Sequence, residues 1–141
     1  MRQFLDTSVF VAAFWGAHVH HEPSLKLFAS AAKKDSACGA HSLAEVFAVM
    51  TTLPAKPVIP PEQAMLFIED IRRRTTLVSL DGDEYCQTLR SAAEAGIAGG
   101  RIYDALLLRC AEKSNAQTIY TWNLKHFQML APKLSDRVRT P

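Results

Sequence analysis

The spacing of apolar and polar residues shows two patterns along the chain. Together these patterns predict short strands that alternate with longer helices. Short apolar runs predict buried strands at residues 2–5, 36–40, 75–80 and 117–122. Longer segments with apolar residues at helical spacing predict helices at 8–16, 21–34, 41–53, 61–74, 81–96, 100–114 and 123–130. This alternation predicts an α/β fold, a three-layer α/β/α sandwich with a mainly parallel sheet, in a single domain spanning residues 1–141.

Length, charge and cysteine content narrow the class of protein only a little. The 141 residues are enough for one domain, and a formal net charge of +2 is too small to indicate a nucleic-acid partner by itself. Cys38, Cys86 and Cys110 lack metal-ligand spacing, and we interpret them as reduced core residues. Since no apolar run approaches the length of a membrane span, we expect a soluble cytoplasmic protein with no membrane contact.

Four polar residues fall where a predicted strand ends or near where a predicted helix begins. Asp6 and Asn123 follow strands, whereas Glu45 and Asp104 lie early in helices. In a parallel sheet these positions share one edge, so we expect the four side chains to converge. Carboxylate and amide oxygens are the ligands that Mg²⁺ and Mn²⁺ prefer. The sequence therefore predicts a divalent metal site at this edge.

Helix capping is the alternative explanation for the same residues. Asp6 and Asn123 are good N-cap residues, Asp104 would be favoured by the helix dipole, and Ser42 with Glu45 spells a capping box. Capping is a reasonable explanation for each residue taken alone. However, capping does not require an acid at every place where a strand ends or a helix begins. In addition, an unpaired charge at Asp104 inside the apolar run IYDALLL would be costly. The joint pattern favours the metal site.

Four segments in this order resemble a known family. The segments LDTSVF, SLAEVFAVMT, GGRIYDALLLRCA and TWNLKHF are similar to those of PIN-domain ribonucleases, most closely the VapC-type toxins of bacterial toxin–antitoxin pairs. The resemblance implies an α/β/α domain and a Mg²⁺- or Mn²⁺-dependent endoribonuclease acting on RNA. It also implies inhibition by a small cognate antitoxin protein, and we expect a homodimer.

The resemblance also implies residue roles. Asp6, Glu45 and Asp104 match the acidic metal ligands, and Asn123 matches the fourth catalytic position. Many family members have Asp in that last motif, so Asn123 removes a negative charge from the site.

Four further residues stand beside these motifs. Ser8 and Thr121 match small hydroxyl positions that would orient ligands or bound water. Arg101 and Lys125 lie close in sequence to the site residues, and we assign them as candidate contacts to the RNA phosphates. The alternative for both is a solvated charge at a helix end.

Histidines and aromatic residues also flank the motifs. His18, His20 and His21 lack the spacing of a zinc site, so we interpret them as a polar loop, with an RNA contact as the alternative. Trp15 and Trp122 could stack on bases, but aromatic residues beside buried strands usually belong to the core.

Other functions remain open at this point. A haloacid-dehalogenase-like phosphatase would need a second Asp where this chain has Ser8. A receiver-type phosphotransfer domain would need paired acids near the N-terminus, which are missing. A catalytically inactive PIN-like binding module would be expected to lose some of the acids that this chain keeps.

Overall fold

A parallel sheet forms the centre of the protein in a computed structural model that describes all 141 residues. Its five strands lie in the order β3-β2-β1-β4-β5, and every neighbouring pair is parallel. The strands are β1 (Gln3–Leu5), β2 (Ser36–Gly39), β3 (Thr76–Val78), β4 (Thr118–Tyr120) and β5 (Val138–Arg139). The predicted fold class is confirmed.

Helices cover both faces of this sheet. They are α1 (Thr7–Phe14), α2 (His21–Ser30), α3 (His41–Thr52), α4 (Pro61–Arg74), α5 (Gly82–Glu94), α6 (Arg101–Ser114) and α7 (Leu124–Leu130), followed by a short 3₁₀ helix, Pro132–Arg137. None of the helices is both long and apolar enough to cross a bilayer.

Two hydrophobic clusters separate the layers, because successive strand residues point to opposite faces. Phe4 and Ala37 face a cluster completed by α6, α7 and the C-terminal strand, whereas Leu5 and Cys38 face a cluster built by α1 to α4. Strands buried on both faces read as continuous apolar runs, which is why the sequence shows no alternation there.

Helix α6 rests directly on β2 at a glycine. A Cβ atom added to Gly39 would lie 2.6 Å from Cδ2 of Leu107. The missing side chain lets α6 approach the sheet closely, which helps to fix the height of Asp104 above the strand ends.

Several predicted boundaries were wrong. Helix α1 ends at Phe14 and not at Gly16, because Trp15 is already extended. Helix α2 ends at Ser30 rather than residue 34, since the chain must turn back into β2, and the backbone N–H groups of Asp35 and Ser36 donate to Ala32 O.

Helix α5 is capped by Asp81 in a capping box with Glu84, and it ends at Glu94 rather than at residue 96. Strand β5 and the 3₁₀ helix were not predicted, since their sequence is short and largely polar. Cys38 and Cys110 are buried as expected, but Cys86 is exposed on α5, so its assignment to the core was wrong.

Candidate functional site

An open cleft of about 420 Å³ lies at the edge where the strands end. It is lined by Asp6, Thr7, Ser8, Val11, His18, His20, Glu45, Val49, Asp104, Trp122 and Asn123. All four residues expected to converge, Asp6, Glu45, Asp104 and Asn123, are therefore brought together.

Asp6 is the most constrained of the acids. It follows β1, is only 2% exposed, and accepts three hydrogen bonds on the same oxygen, Oδ2. The donors are the Ser8 backbone N–H at 3.3 Å, the Ser8 hydroxyl at 2.8 Å and the Thr121 hydroxyl at 2.9 Å. This arrangement caps α1 and leaves Oδ1 free, so capping and ligand binding are compatible here.

Burial is also the main influence on the titration of Asp6. It raises the pKa of this carboxyl, the hydrogen bonds from Ser8 and Thr121 oppose the rise, and the charge of Asp104 adds to it. A cation near Oδ1 would compensate the buried negative charge.

Glu45 lies on α3, and its Oε1 is 3.2 Å from the Thr7 hydroxyl. Helix α3 begins at His41 with Ala40 at the N-cap and has no side-chain cap, so the capping-box explanation for Ser42 and Glu45 was wrong. Burial raises the pKa of Glu45 most, and the charges of Asp6 and Asp104 raise it further against the opposing effect of His41.

Asp104 lies in the first turn of α6, with a histidine beside it. Nδ1 of His126 is 3.5 Å from Asp104 Oδ2. Burial raises the pKa of Asp104, and His126 acts against that rise. The sequence pattern did not indicate His126, although its position three residues after Asn123 and near the start of α7 is a signal that could have found it.

Ser8 and Thr121 tie the site together. The Trp122 backbone N–H donates to Ser8 Oγ at 2.9 Å, and the Asn123 backbone N–H donates to Thr121 Oγ1 at 3.0 Å. The first of these bonds joins the start of α1 to the end of β4, and the second orders the turn that carries Asn123. Asn123 is exposed and occupies the N-cap position of α7 as expected, but its side chain makes no capping hydrogen bond and is free for another role.

The two candidate phosphate contacts stand outside the residues that line the cleft. Arg101 is the first residue of α6, and its Nε atom is buried without a hydrogen-bond partner. Lys125 is exposed on α7. Their assignment as RNA contacts stays a prediction.

The histidine loop is closer to the site than the sequence indicated. His18, His20 and Trp122 all line the cleft, whereas Nδ1 of His21 contacts the backbone oxygen of Ala12 at 2.9 Å. Trp122 packs on the core as expected, yet it also borders the cleft.

The donor set fits a hard divalent cation. Asp6, Glu45 and Asp104 each keep one carboxylate oxygen without a protein partner, and each has a raised pKa. In this structure no three acidic, histidine or cysteine side chains lie close enough together to hold one metal ion. Mg²⁺ usually binds through one or two carboxylates and keeps several waters, which suits an open arrangement of this kind.

Comparison with known proteins identifies the family. The sequence profile of the PIN domain matches residues 4–129. Ribonuclease VapC40 of Mycobacterium tuberculosis is 32% identical over 114 residues, which cover 81% of each chain. The chain belongs to the PIN-domain family, and its resemblance to VapC-type members is confirmed.

Solved structures agree on the fold. Mycobacterium tuberculosis VapC20, a sarcin-ricin loop cleaving toxin, superposes with a TM-score of 0.70 at 17% identity, covering 88% of this chain and 92% of its own. The DNA-bound VapBC of Salmonella typhimurium superposes with a TM-score of 0.67 at 17% identity, covering 99% of this chain and 98% of the matched chain. Both share the architecture described above.

Proposed function

We propose that this chain is an endoribonuclease that hydrolyses RNA phosphodiesters with a Mg²⁺ or Mn²⁺ ion held by Asp6 and Asp104, with Glu45 as a further ligand or base. The observation that carries the proposal is the meeting of these carboxylates in one cleft, each with an oxygen left for a ligand. The relative that is 32% identical is named a ribonuclease. Divalent-metal dependence is general among PIN-domain ribonucleases, and the donor set here fits it.

Each acid has a role that follows from its surroundings. When bound, the ion would lower the pKa of a water ligand and neutralise charge on the phosphate. Asp6 would hold the ion through Oδ1, because Ser8 and Thr121 occupy Oδ2. Asp104 would be the second ligand. Glu45, whose pKa is raised, would serve as a further ligand or accept the proton of the attacking water.

Asn123 completes the catalytic set as a neutral oxygen donor at the cleft. With Asn in place of the more frequent Asp, the site carries one negative charge less, which weakens its attraction for a second cation. Arg101 and Lys125 would contact the phosphates on either side of the cut, where guanidinium and ammonium groups compensate backbone charge.

We further propose that the chain is the toxin of a type II toxin–antitoxin pair. The Salmonella relative of the same fold was solved as VapBC, and this chain would bind a small antitoxin of its own. A single domain, a cytoplasmic location and a homodimer also remain predictions, and they are compatible with that role.

Cleavage of RNA by the purified chain tests the enzyme assignment. We expect cleavage with Mg²⁺ or Mn²⁺, none with EDTA, and none for Asp104→Asn, while the melting temperature shows an intact fold. Asp83→Asn is the matched control, because Asp83 is an exposed acid on α5 away from the cleft. Undiminished cleavage in EDTA would contradict the mechanism, and metal binding without any cleavage would favour an inactive PIN-like binding module.

A further inference from the structure

One wall of the acidic cleft is formed by two stacked rings. The imidazole of His20 lies on the indole of Trp122 with ring centroids 3.7 Å apart and an interplanar angle of 6°. Both residues line the cleft that holds Asp6, Glu45 and Asp104. Two flat rings therefore stand directly beside the carboxylates.

The indole of Trp122 is held in place by core packing and by hydrogen bonds. Trp122 packs against the core cluster of α1 to α4, its Nε1 donates to Ser24 Oγ at 2.8 Å, and its backbone N–H donates to Ser8 Oγ at 2.9 Å. The same serine hydroxyl is bonded to Asp6. The position of the indole is thus linked by hydrogen bonds to that of the first metal-binding acid.

The backbone of His20, which carries the imidazole, is held by hydrogen bonds within its own loop. The backbone N–H of His20 donates to Nδ1 of His18 at 3.0 Å, and the His20 carbonyl accepts from the Ser24 N–H in the first turn of α2. Burial lowers the pKa of His18, and the neighbouring His20 and His21 lower it further. The indole covers one face of the His20 ring, and the ring of His18 stands at 44° to it with centroids 5.7 Å apart. A base would have to stack on the face that the indole does not cover.

We propose that His20, supported by Trp122, is a stacking platform for an unpaired RNA base next to the phosphate that is cut. The inference rests on the proposed function and specifies how the substrate is positioned. Unstacked bases of single-stranded RNA bind on aromatic and histidine side chains, and a ring held in place in advance loses little entropy on binding. A base on His20 would extend the stack and place its phosphate near the acids.

A second stacked pair shows why the first is the better candidate. His41 and Tyr103 also stack, but their centroids are 5.5 Å apart and neither ring lines the cleft. The alternative roles for His20 are to cover Trp122 or to contact a phosphate, and neither of these depends on a base. Dependence on the base is therefore the property to measure.

The probe is fluorescein-labelled octaadenylate, compared with an abasic ribose-phosphate octamer of equal charge. Binding is followed by anisotropy with Ca²⁺ in place of Mg²⁺, and a gel verifies that the oligomers stay intact. The proteins are the wild type, His20→Ala, His20→Phe and Val19→Ala, with the melting temperature of each as a check on folding. Val19 is the control because it neighbours His20 and is 85% exposed.

We expect the wild type and Val19→Ala to bind octaadenylate about 5- to 10-fold more tightly than the abasic octamer, the lower range for one stacked base. His20→Ala should bring that ratio near one without changing affinity for the abasic octamer, and His20→Phe should keep it. An unchanged ratio in His20→Ala, or an equal loss for both oligomers, would overturn the platform. If the wild type shows the base-dependent ratio but cuts no RNA with Mg²⁺, the platform stands and only the proposed function fails.

Discussion

Thr121 donates a hydrogen bond to Oδ2 of Asp6 at 2.9 Å, although 115 positions separate the two residues in sequence. The bond joins the ends of neighbouring strands β1 and β4, and Thr121 is fully buried. It also directs Oδ2 into the protein, so that Oδ1 is the oxygen left for a ligand. Pairing of two strands thus orients the first acid of the site.

Replacing Thr121 with valine should weaken metal binding. The variant keeps the shape of the side chain but removes the donor to Asp6, and outer partners of this kind contribute about 10- to 100-fold to metal affinity. Loss of a hydrogen bond to a charged group should also lower the free energy of unfolding by about 1–3 kcal/mol. Calorimetric titration with Mn²⁺ and denaturant unfolding measure the two effects.

The pH dependence of Mn²⁺ binding distinguishes the hydrogen-bonding role of Thr121 from a role in packing alone. Because the Thr121 hydroxyl lowers the pKa of Asp6, its removal should move the midpoint of Mn²⁺ binding to higher pH. Thr88→Val is the matched control, since that hydroxyl donates to the Glu84 backbone oxygen in α5. An unchanged midpoint in Thr121→Val would mean that the hydroxyl does not act on the carboxylate.

Removing the charge of Asp6 should stabilise the metal-free protein. Asp6 is buried beside other acids, which raises its pKa, so the fold favours the neutral carboxyl. Asp6→Asn should therefore raise the melting temperature at neutral pH by a few degrees, at about 4 °C per kcal/mol for a chain of this size. Differential scanning calorimetry in EDTA provides the measurement.

The gain from Asp6→Asn should depend on pH in a defined direction. Below the ordinary pKa of Asp the carboxyl is neutral in both folded and unfolded wild type, so its ionisation costs no stability. As pH rises towards the raised folded pKa, the unfolded chain ionises first and the wild type loses stability, a loss that the variant avoids. A gain that is largest in acid and absent at neutral pH would contradict this account.

The sequence was informative about where the acids lie but not about how they are held. Asp6, Glu45, Asp104 and Asn123 could be placed at one edge because strand and helix order alone determines which ends meet there. The contact between His126 and Asp104 depends on the rotation of α7 against α6, which is set by packing and not by spacing along either helix. The pattern of apolar residues in the sequence does not predict how α7 is rotated against α6.

The same limit applies to the fold. Apolar runs predicted four strands, whereas β5 has only two residues in a polar segment and exists because β4 offers it a free edge. The histidine loop was interpreted as merely polar for a similar reason. Its position over Trp122 results from the turn between α1 and α2, and no local pattern marks that turn as part of a site.

The products of cleavage should carry 5′-phosphate and 3′-hydroxyl ends. A water activated at the acids and attacking in line would break the P–O3′ bond, so that the 3′ oxygen leaves and the phosphate stays on the 5′ end of the downstream fragment, and the RNA 2′-hydroxyl would take no part. Mass spectrometry of a cleaved oligonucleotide distinguishes the ends. Detection of 2′,3′-cyclic phosphate would instead mean that the 2′-hydroxyl is the nucleophile and that the roles given to the acids are wrong.

Exposed apolar side chains on α3 and α4 offer a place for an antitoxin. They are Val49 on α3 and Met65 and Leu66 on α4, which are 36%, 43% and 67% exposed. Val49 also lines the cleft, and α3 packs against α4. A partner helix docked on the apolar residues could therefore extend a short segment over the carboxylates.

We expect that segment to present an arginine or another cation to the acids, because a guanidinium binds carboxylates bidentately and would compete with the metal. Affinity for the antitoxin, taken as the product of the neighbouring small reading frame, should then fall when Asp6, Glu45 and Asp104 are all replaced by their amides. Leu66→Lys should also weaken binding but spare RNA cleavage, whereas Leu25→Lys on α2, with a 44% exposed side chain, controls for added charge. Surface plasmon resonance of the purified pair measures each affinity. If the triple variant bound the antitoxin as tightly as the wild type, inhibition would have to act away from the catalytic acids, and direct competition with the metal would be excluded.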